Sequence, residues 1–417
     1  MLAVRVALAA LLFSACGLAA DAVPKEEYRS RREALRRSLP DGVLVLFAAT
    51  EADAAGSRSG FMQEPSFFYL TGWREPGAIL LLDPRGSTVL FLPPHNPRTE
   101  RYHGPRTAPD DGNVRSVTGF EKILSTGQFE AELSRIAAGR RKRFGIEGGR
   151  PSRFQEAEFA DASETIGKLR LKKSPAEVAL VQRSIDATVH AHRAAWKRVR
   201  PGLYEYQVAA TLVGGYLEAG CERSAYAPIV AAGPNANVLH YSANSGRLDP
   251  GGLLLIDAGA ECAGYAADIT RTIPVDGRFT PRQRELYEIV LAAQKAVIAA
   301  VKPGMTFERQ SPGSLTEIAY DVINSRGKDR NGEPLGQYFT HKVGHHVGLE
   351  VHDAGKLSTY GPLEPGMVIT IEPGVYIPSE GIGIRIEDML LVTATGARLL
   401  TGSLPKEAAE IERVLAR

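Results

Sequence analysis

Two stretches of the sequence match each other and decide the fold: LDPGGLLLIDAG at residues 248–259 and LEPGMVITIEPG at residues 363–374. Each begins with a turn, continues as an apolar strand and ends with an acid that a glycine follows two residues later. A second apolar strand carrying another acid comes next in both cases. The acids are Asp257 and Asp268 in the first copy, and Glu372 and Glu387 in the second. This repeated order predicts an internal duplication, in which two halves related by a pseudo-twofold axis each contribute one acidic hairpin to a shared centre.

Four acids at the ends of apolar strands need a chemical explanation, because a buried carboxylate is costly unless it is neutralised or binds a metal. In GIRIEDM the alternation of a strand places Arg385 and Glu387 on one face, so a salt bridge would explain that acid alone. The segment HKVGHHVGLEVHD, residues 341–353, adds His345 to the set. Four carboxylates and one imidazole form a hard, oxygen-rich ligand set that suits two divalent cations.

The predicted metal centre would hydrolyse an amide. We expect Mn²⁺, with Co²⁺ or Zn²⁺ as substitutes, because the ligands are mostly oxygen. Two such ions about 3.5 to 4 Å apart can hold a bridging hydroxide at neutral pH and polarise a carbonyl, without a covalent intermediate. The chain contains neither HExxH nor GxSxG, which disfavours a single-zinc peptidase helix and a serine hydrolase. If residues 341–353 form one regular strand, His345 and His352 face opposite ways, because seven positions separate them.

The first part of the mature chain, residues 23–167, is predicted to be an α/β domain without an obvious cluster of catalytic groups. Strands are expected in GVLVLF from Gly42, GAILLLD from Gly77 and STVLFLP from Ser87. A DPRG turn joins the last two as a hairpin. The basic, polar segment KLRLKKSP then marks the boundary, so that the second domain covers residues 168–417.

Helices of the second domain are marked by their first residues. Ser174, Pro175 and Glu177 form an N-cap, a first-turn proline and a capping box, and Thr280, Pro281 and Gln283 repeat the pattern. A helix between these two is expected to end at Gly220. His190 and His192 lie two positions apart on the first helix and point in different directions, so we interpret them as surface or core residues.

The motifs together resemble the M24 metallopeptidases of the pita-bread fold, and specifically the Xaa-Pro aminopeptidases. SFFYLTGWREPGAILLL and ERYHGPR are similar to signatures of the family's N-terminal domain. LKKSPAEVALVQ, NVLHY, LIDAGAECAGYAADITRT, GHHVGLEVHD, LEPGMVITIEPGVYI and GIGIRIEDML follow in family order. The resemblance implies an α+β pita-bread domain with duplicated halves behind the α/β domain. The chain departs from the family pattern in two places, because many members carry an arginine near the position of Met62 and an aspartate in place of Ser66.

The resemblance also implies roles for individual residues. Asp257 would bind one metal, His345 and Glu372 the other, and Asp268 and Glu387 would bridge them. Glu372 would also act as general base. His240 and His352 would hold the scissile carbonyl, Arg385 would support the ligand network, and His341 and Tyr376 would lie near the substrate.

The resemblance leaves a choice among substrates and relatives. A peptide with proline in second position is the implied substrate, and its N-terminal residue would be released. A prolidase, which accepts only Xaa-Pro dipeptides, shares the same metal ligands and is the nearest alternative. A metal-free creatinase-like hydrolase or binding module is disfavoured, because all five ligands are present. The sequence leaves the formation of a homo-oligomer open.

Composition and the first residues set limits on partners and location. Lys and Arg total 50 and Asp and Glu 48, so no strong field favours nucleic acid. Residues 1–22 contain Arg5 and the apolar run ALAALLF, as in a signal peptide. We expect export to the periplasm or medium after cleavage at Ala20 or Ala22, and lipid attachment at Cys16 is the alternative. No later segment is expected to cross a membrane, and a Cys221–Cys262 bridge stays undecided.

Overall fold

The computed structural model describes residues 22–39, 42–54, 60–138, 142–146, 158–359 and 361–416. The predicted signal peptide and Cys16 lie outside the described residues, with the exception of Ala22. Among the described helices, none combines the length and the apolar character needed to cross a membrane.

The bounds of the regular elements follow in chain order. The helices are α1 (Lys25–Ser38), α2 (Glu51–Ala54), α3 (Pro65–Thr71), α4 (Pro97–His103), α5 (Val114–Thr118), α6 (Phe129–Ala137), α7 (Ser163–Leu171), α8 (Pro175–Arg198), α9 (Glu205–Glu218), α10 (Pro281–Ala300), α11 (Leu315–Arg326) and α12 (Ala408–Leu415). The strands are β1 (Val43–Phe47), β2 (Ile79–Leu82), β3 (Thr88–Leu92), β4 (Lys122–Ser125), β5 (Lys142–Gly145), β6 (Glu158–Asp161), β7 (Arg223–Ser224), β8 (Ile229–Ala232), β9 (Leu253–Ala258), β10 (Ala260–Cys262), β11 (Tyr265–Ala266), β12 (Ile269–Pro274), β13 (Val368–Ile371), β14 (Gly374–Ile377), β15 (Ile382–Arg385), β16 (Asp388–Val392) and β17 (Ala397–Leu399).

The N-terminal region is a mixed six-stranded sheet in the order β4-β3-β2-β1-β5-β6. Its three predicted strands are confirmed as β1, β2 and β3, and β2 and β3 form the predicted antiparallel hairpin. The turn between them is closed by the Gly86 N–H, which donates to the Asp83 carbonyl at 3.0 Å. Alternate residues face opposite layers, since Leu44 and Leu46 pack with α1, α3 and α7 whereas Val43 and Val45 pack against α6. The sheet is therefore buried on both faces, as in an α/β domain.

The C-terminal region repeats one arrangement twice. Helices α8 and α9 pack together before the sheet β12-β9-β8, and helices α10 and α11 pack together before the sheet β13-β16-β17. Strands β9 and β12 pair antiparallel with Asp257 opposite Thr270. Strands β13 and β16 pair with Ile371 opposite Asp388. The predicted acids therefore lie just beyond this pair, since Glu372 follows Ile371 and Glu387 precedes Asp388. The predicted duplicated architecture is confirmed.

The two acidic hairpins lie against each other at their ends. The Glu387 N–H donates to the Thr270 carbonyl at 3.0 Å, and the Arg385 N–H donates to the Thr272 hydroxyl at 3.2 Å. Backbone contacts between the halves therefore fix the separation of the acids, rather than the flexible side chains alone.

The predicted helix starts are confirmed by their caps. The Ser174 hydroxyl accepts from the Glu177 N–H, and the Glu177 carboxylate accepts from the Ser174 N–H. Thr280 and Gln283 make the same reciprocal pair at the start of α10. Helix α9 ends at Glu218, two residues before the predicted Gly220, which takes the left-handed conformation with φ of 76°. The helix therefore ends before the glycine that turns the chain.

Two further open questions are answered by side-chain positions. Cys221, just beyond α9, forms a disulfide with Cys262 at the end of β10. His190 is exposed and His192 is buried on the other side of α8, which confirms the interpretation of the two as a surface residue and a core residue.

Candidate metal centre

All five predicted ligands line one cavity of about 620 Å³ in the C-terminal region. The cavity also contains the predicted substrate-binding histidines and Arg385. Its described walls include Asp257, Asp268, His345, Glu372, Glu387, His240, His341, His352 and Arg385. Duplicated strand ends thus bring together side chains that are up to 130 positions apart in the sequence.

The first acidic hairpin presents Asp257 and Asp268 to a shared hydroxyl. The Tyr226 oxygen lies 2.5 Å from Asp257 Oδ1 and 2.5 Å from Asp268 Oδ1. Burial raises the pKa of Tyr226, so the hydroxyl keeps its hydrogen. One hydroxyl can donate to only one carboxylate at a time. The second contact is satisfied when Asp268 is protonated, and burial raises the pKa of that carboxyl to about 6.

His345 reaches the centre from the histidine-rich segment and joins the two halves. Its Nε2 lies 3.4 Å from Asp268 Oδ2 and 3.4 Å from Glu372 Oε1. The backbone N–H of His345 donates to the Thr370 hydroxyl at 3.0 Å, which ties the segment to β13. His345 as a whole is 6% exposed, so its ring lies in the interior of the cavity.

The assumption of a regular strand over residues 341–353 is wrong. The segment is irregular apart from one bridge between His346 and Ile369, because the His346 N–H donates to the Ser358 carbonyl and the Asp353 N–H donates back to the His346 carbonyl at 2.9 Å. The ring centres of His345 and His352 are therefore only 4.2 Å apart, instead of facing opposite ways.

Glu387 and Arg385 complete the second hairpin. The Thr270 hydroxyl donates to Glu387 Oε2 at 2.6 Å. Arg385 donates from Nη2 to Asp257 Oδ2 at 2.5 Å and from Nε to the Thr270 hydroxyl at 3.2 Å. Arg385 therefore neutralises a carboxylate of the first hairpin, although it belongs to the second.

The electrostatics of this cavity favour bound cations. Burial, and then the charge of Asp268, raises the pKa of Glu387 well above its ordinary value. Burial alone lowers the pKa of His345, but the hydrogen bond to Asp268 and the charge of Glu372 raise it to about 9. Asp268, His345 and Glu387 each offer one ligand atom within 4.8 Å of the others. Four carboxylates with one imidazole, in a buried site that disfavours their charge, fit a pair of divalent cations.

The remaining predicted residues surround the ligands. His240 lies in a turn after β8 and lines the cavity beside His352. His341 Nε2 is 2.9 Å from the Tyr376 hydroxyl, which in turn accepts from Arg385 Nη1 at 2.9 Å. Tyr376 is buried and is not among the described residues that line the cavity. Its hydroxyl therefore supports His341 and Arg385 from behind.

Three hydroxyls at the centre were missed by sequence reasoning. Thr270 and Thr370 follow or precede predicted acids by two positions, and that spacing on a strand places each on the same face as its acid. Tyr226 lies 31 positions before Asp257, and its local sequence carries no comparable signal. Alternation could have found the threonines, whereas the tyrosine required the fold.

The chain is similar to characterised proteins along nearly all of its length. Residues 179–394 match the model of metallopeptidase family M24, and residues 28–144 match that of the aminopeptidase P N-terminal domain. The Xaa-Pro aminopeptidases of Haemophilus influenzae and Escherichia coli are 35% and 32% identical, and each comparison covers 94% of this chain and 98% of the relative. The structure of Pseudomonas aeruginosa aminopeptidase PepP superposes with a TM-score of 0.83 at 33% identity, over 94% of this chain and 98% of that one. With its duplicated acidic hairpins and these matches, the chain belongs to metallopeptidase family M24.

Proposed function

We propose that this enzyme is an Xaa-Pro aminopeptidase, which hydrolyses the amide between an N-terminal residue and a following proline. The observation that carries the proposal is the convergence of four carboxylates and one imidazole on one cavity. The named activity of the relatives in Haemophilus influenzae and Escherichia coli supports the choice of substrate.

The residues of the cavity divide into ligands and groups that act on the peptide. Asp257, Asp268, His345, Glu372 and Glu387 would hold two divalent cations. When bound, these cations supply an activated water and polarise the scissile carbonyl. We propose Mn²⁺ as the native ion, because the donors are predominantly hard carboxylate oxygens.

Proton transfer is assigned to Glu372, whose carboxylate faces the cavity and lies 3.4 Å from His345 Nε2. It takes the proton of the attacking water and delivers it to the proline nitrogen, which must be protonated to leave. His240 and His352 line the same cavity, and burial lowers the pKa of His352. They hydrogen-bond the carbonyl oxygen as negative charge develops on it. Arg385 holds Asp257 in place through its hydrogen bond to Oδ2.

A peptide assay on protein purified without chelator tests this function. Elemental analysis should find two divalent metals per chain, and a tripeptide with proline in second position should lose its first residue. The same tripeptide with alanine in second position is the matched control and should be cleaved poorly. Hydrolysis confined to an Xaa-Pro dipeptide would make the enzyme a prolidase, and full activity after complete metal removal would exclude the proposed chemistry.

We further propose that the protein is exported. The support is the composition of residues 1–22 and the disulfide between Cys221 and Cys262, because disulfides persist mainly in oxidising compartments. Mass spectrometry of the mature N terminus should find Asp21 or Val23 as the first residue. A lipid-modified Cys16 would mean membrane attachment, and an intact Met1 in the cytoplasmic fraction would contradict export.

A further inference from the structure

A buried carboxylate outside the ligand set lies directly beside a predicted catalytic histidine. Asp353 follows His352 in the chain and is 1% exposed. Its Oδ1 accepts from Arg170 Nη2 at 2.5 Å, and its Oδ2 accepts from Lys173 Nζ at 2.8 Å. Both cations are themselves buried. One carboxylate is thus held from both sides by two buried cations, about 180 positions earlier in the chain.

Both cations belong to the segment that joins the two regions of the protein. Arg170 is near the end of α7, and Lys173 lies between α7 and α8. Arg170 also donates to Glu350 Oε2 at 2.6 Å and to the Ser66 hydroxyl of α3 at 3.4 Å. The joining segment therefore connects the N-terminal region to the loop that carries His352.

Stability alone does not explain why three charged side chains are buried together here. Removing charges from water is costly, and a buried ion pair is often no more stabilising than apolar residues of the same volume. What such a pair does provide is a defined position. Asp353 also ties the loop to itself, since its N–H donates to the His346 carbonyl at 2.9 Å and its Oδ1 accepts from the Glu350 N–H at 3.4 Å.

We propose that Asp353, clamped between Arg170 and Lys173, is a positioning residue that sets the orientation of His352 in the catalytic cavity. The inference rests on the proposed function, in which His352 holds the scissile carbonyl. A displacement of about 1 Å in a catalytic group can lower the rate by roughly 100-fold. The clamp would therefore control turnover without touching either metal or peptide.

Gly348 offers a way to move Asp353 without changing any charge. A Cβ atom at this position would overlap Asp353 Oδ2 and lie 2.8 Å from Lys173 Cε. The Gly348→Ala variant should therefore push the carboxylate out of its clamp. Gly214→Ala is the matched control, because a Cβ at Gly214 in α9 meets nothing within 4 Å.

We expect the variants to lower kcat while leaving KM and metal content nearly unchanged. For Gly348→Ala, kcat on a proline tripeptide should fall at least 10-fold, whereas KM should change less than about threefold and both metals should remain bound. Lys173→Met, which removes one of the two cations while keeping the length of the side chain, should lower kcat in the same direction. Melting curves ensure that all variants are assayed while folded.

A double-mutant cycle tests whether the effect passes through His352. Because the clamp acts by orienting that ring, Gly348→Ala should lower kcat much less in a His352→Ala background than in the unmodified enzyme. An equal loss in both backgrounds, or a kcat within twofold of the Gly214→Ala control, would overturn the inference. Absence of cleavage by the unmodified enzyme would instead refute the proposed function, and this inference with it.

Discussion

Removal of the metals should make the stability of the protein fall as the pH rises, because of the protonation of Asp268 and His345. In the chelated protein, protons bound to the ligand side chains replace the positive charge of the cations. Asp268 then has a pKa of about 6 and His345 one of about 9, whereas the ordinary values are 3.8 and 6.5. Both folded-state pKa values are raised above those of the unfolded chain. Their contribution to stability is therefore fully present at low pH and is lost as the pH rises through the folded-state values.

The size of this loss follows from the two shifts. Between pH 5 and pH 6 the folded protein retains the proton of Asp268 while the unfolded chain has released its own. Between pH 6.5 and pH 8 the same holds for His345. The combined interval of about 2.5 pH units corresponds to roughly 3 kcal/mol, at about 1.4 kcal/mol per unit. Both residues are buried, so solvent screens this contribution little. For a region of about 250 residues, we expect the melting temperature to fall by roughly 6 to 12 °C.

Thermal melts of metal-loaded and chelated protein at pH 5, 6, 7 and 8 measure this effect, since comparison at each pH cancels the titration of distant groups. The gap between the two melting temperatures should widen as the pH rises, because metals displace the protons that the chelated site needs. Chelated Asp268→Asn is the control, and its melting temperature should change less between pH 5 and pH 6. A gap that stays constant from pH 5 to pH 8 would refute the reasoning.

The other predictions concern single side chains of the centre. Asp268→Ala and Glu387→Ala should each abolish metal loading and peptide hydrolysis, and full activity of either would exclude the proposed pair of cations. His352→Ala should keep both metals by elemental analysis yet lose most of its turnover, so loss of both metals would contradict its assignment to the substrate. Tyr226→Phe removes a hydroxyl that contacts two ligands and should weaken metal affinity by about 10- to 100-fold in competition with a chelator. Tyr216→Phe is its control, because the Tyr216 hydroxyl has no hydrogen-bond partner among the described residues, and equal affinities in the two variants would argue against a role for Tyr226.

The centre could be predicted from sequence because its ligands obey local rules. Asp257 and Glu372 each end a largely apolar run, which predicts that the acid lies at the end of a buried strand. Their matching position in two similar stretches then predicts that the two strand ends share one centre. No knowledge of distant contacts was needed for that step.

The loops could not be predicted in the same way, because long-range hydrogen bonds decide their shape. Spacing alone separated His345 from His352, but the bond between the His346 N–H and the Ser358 carbonyl bends the chain and brings the rings together. The partners of Asp353 are likewise far away in the sequence, and KLRLKKSP gave no sign that two of its cations would be buried.

This difference between strands and loops has a chemical consequence. The proposed metal ligands Asp268 and Glu387 flank paired strands, where the backbone ladder fixes their positions before any ion binds. His240 and His352 lie in turns, which lack such a ladder, although their task requires equal precision. A turn can gain precision only from additional contacts, and Asp353 with its two buried cations supplies them beside His352. Changes in the strands should therefore act first on metal content, whereas changes around these turns should act first on turnover.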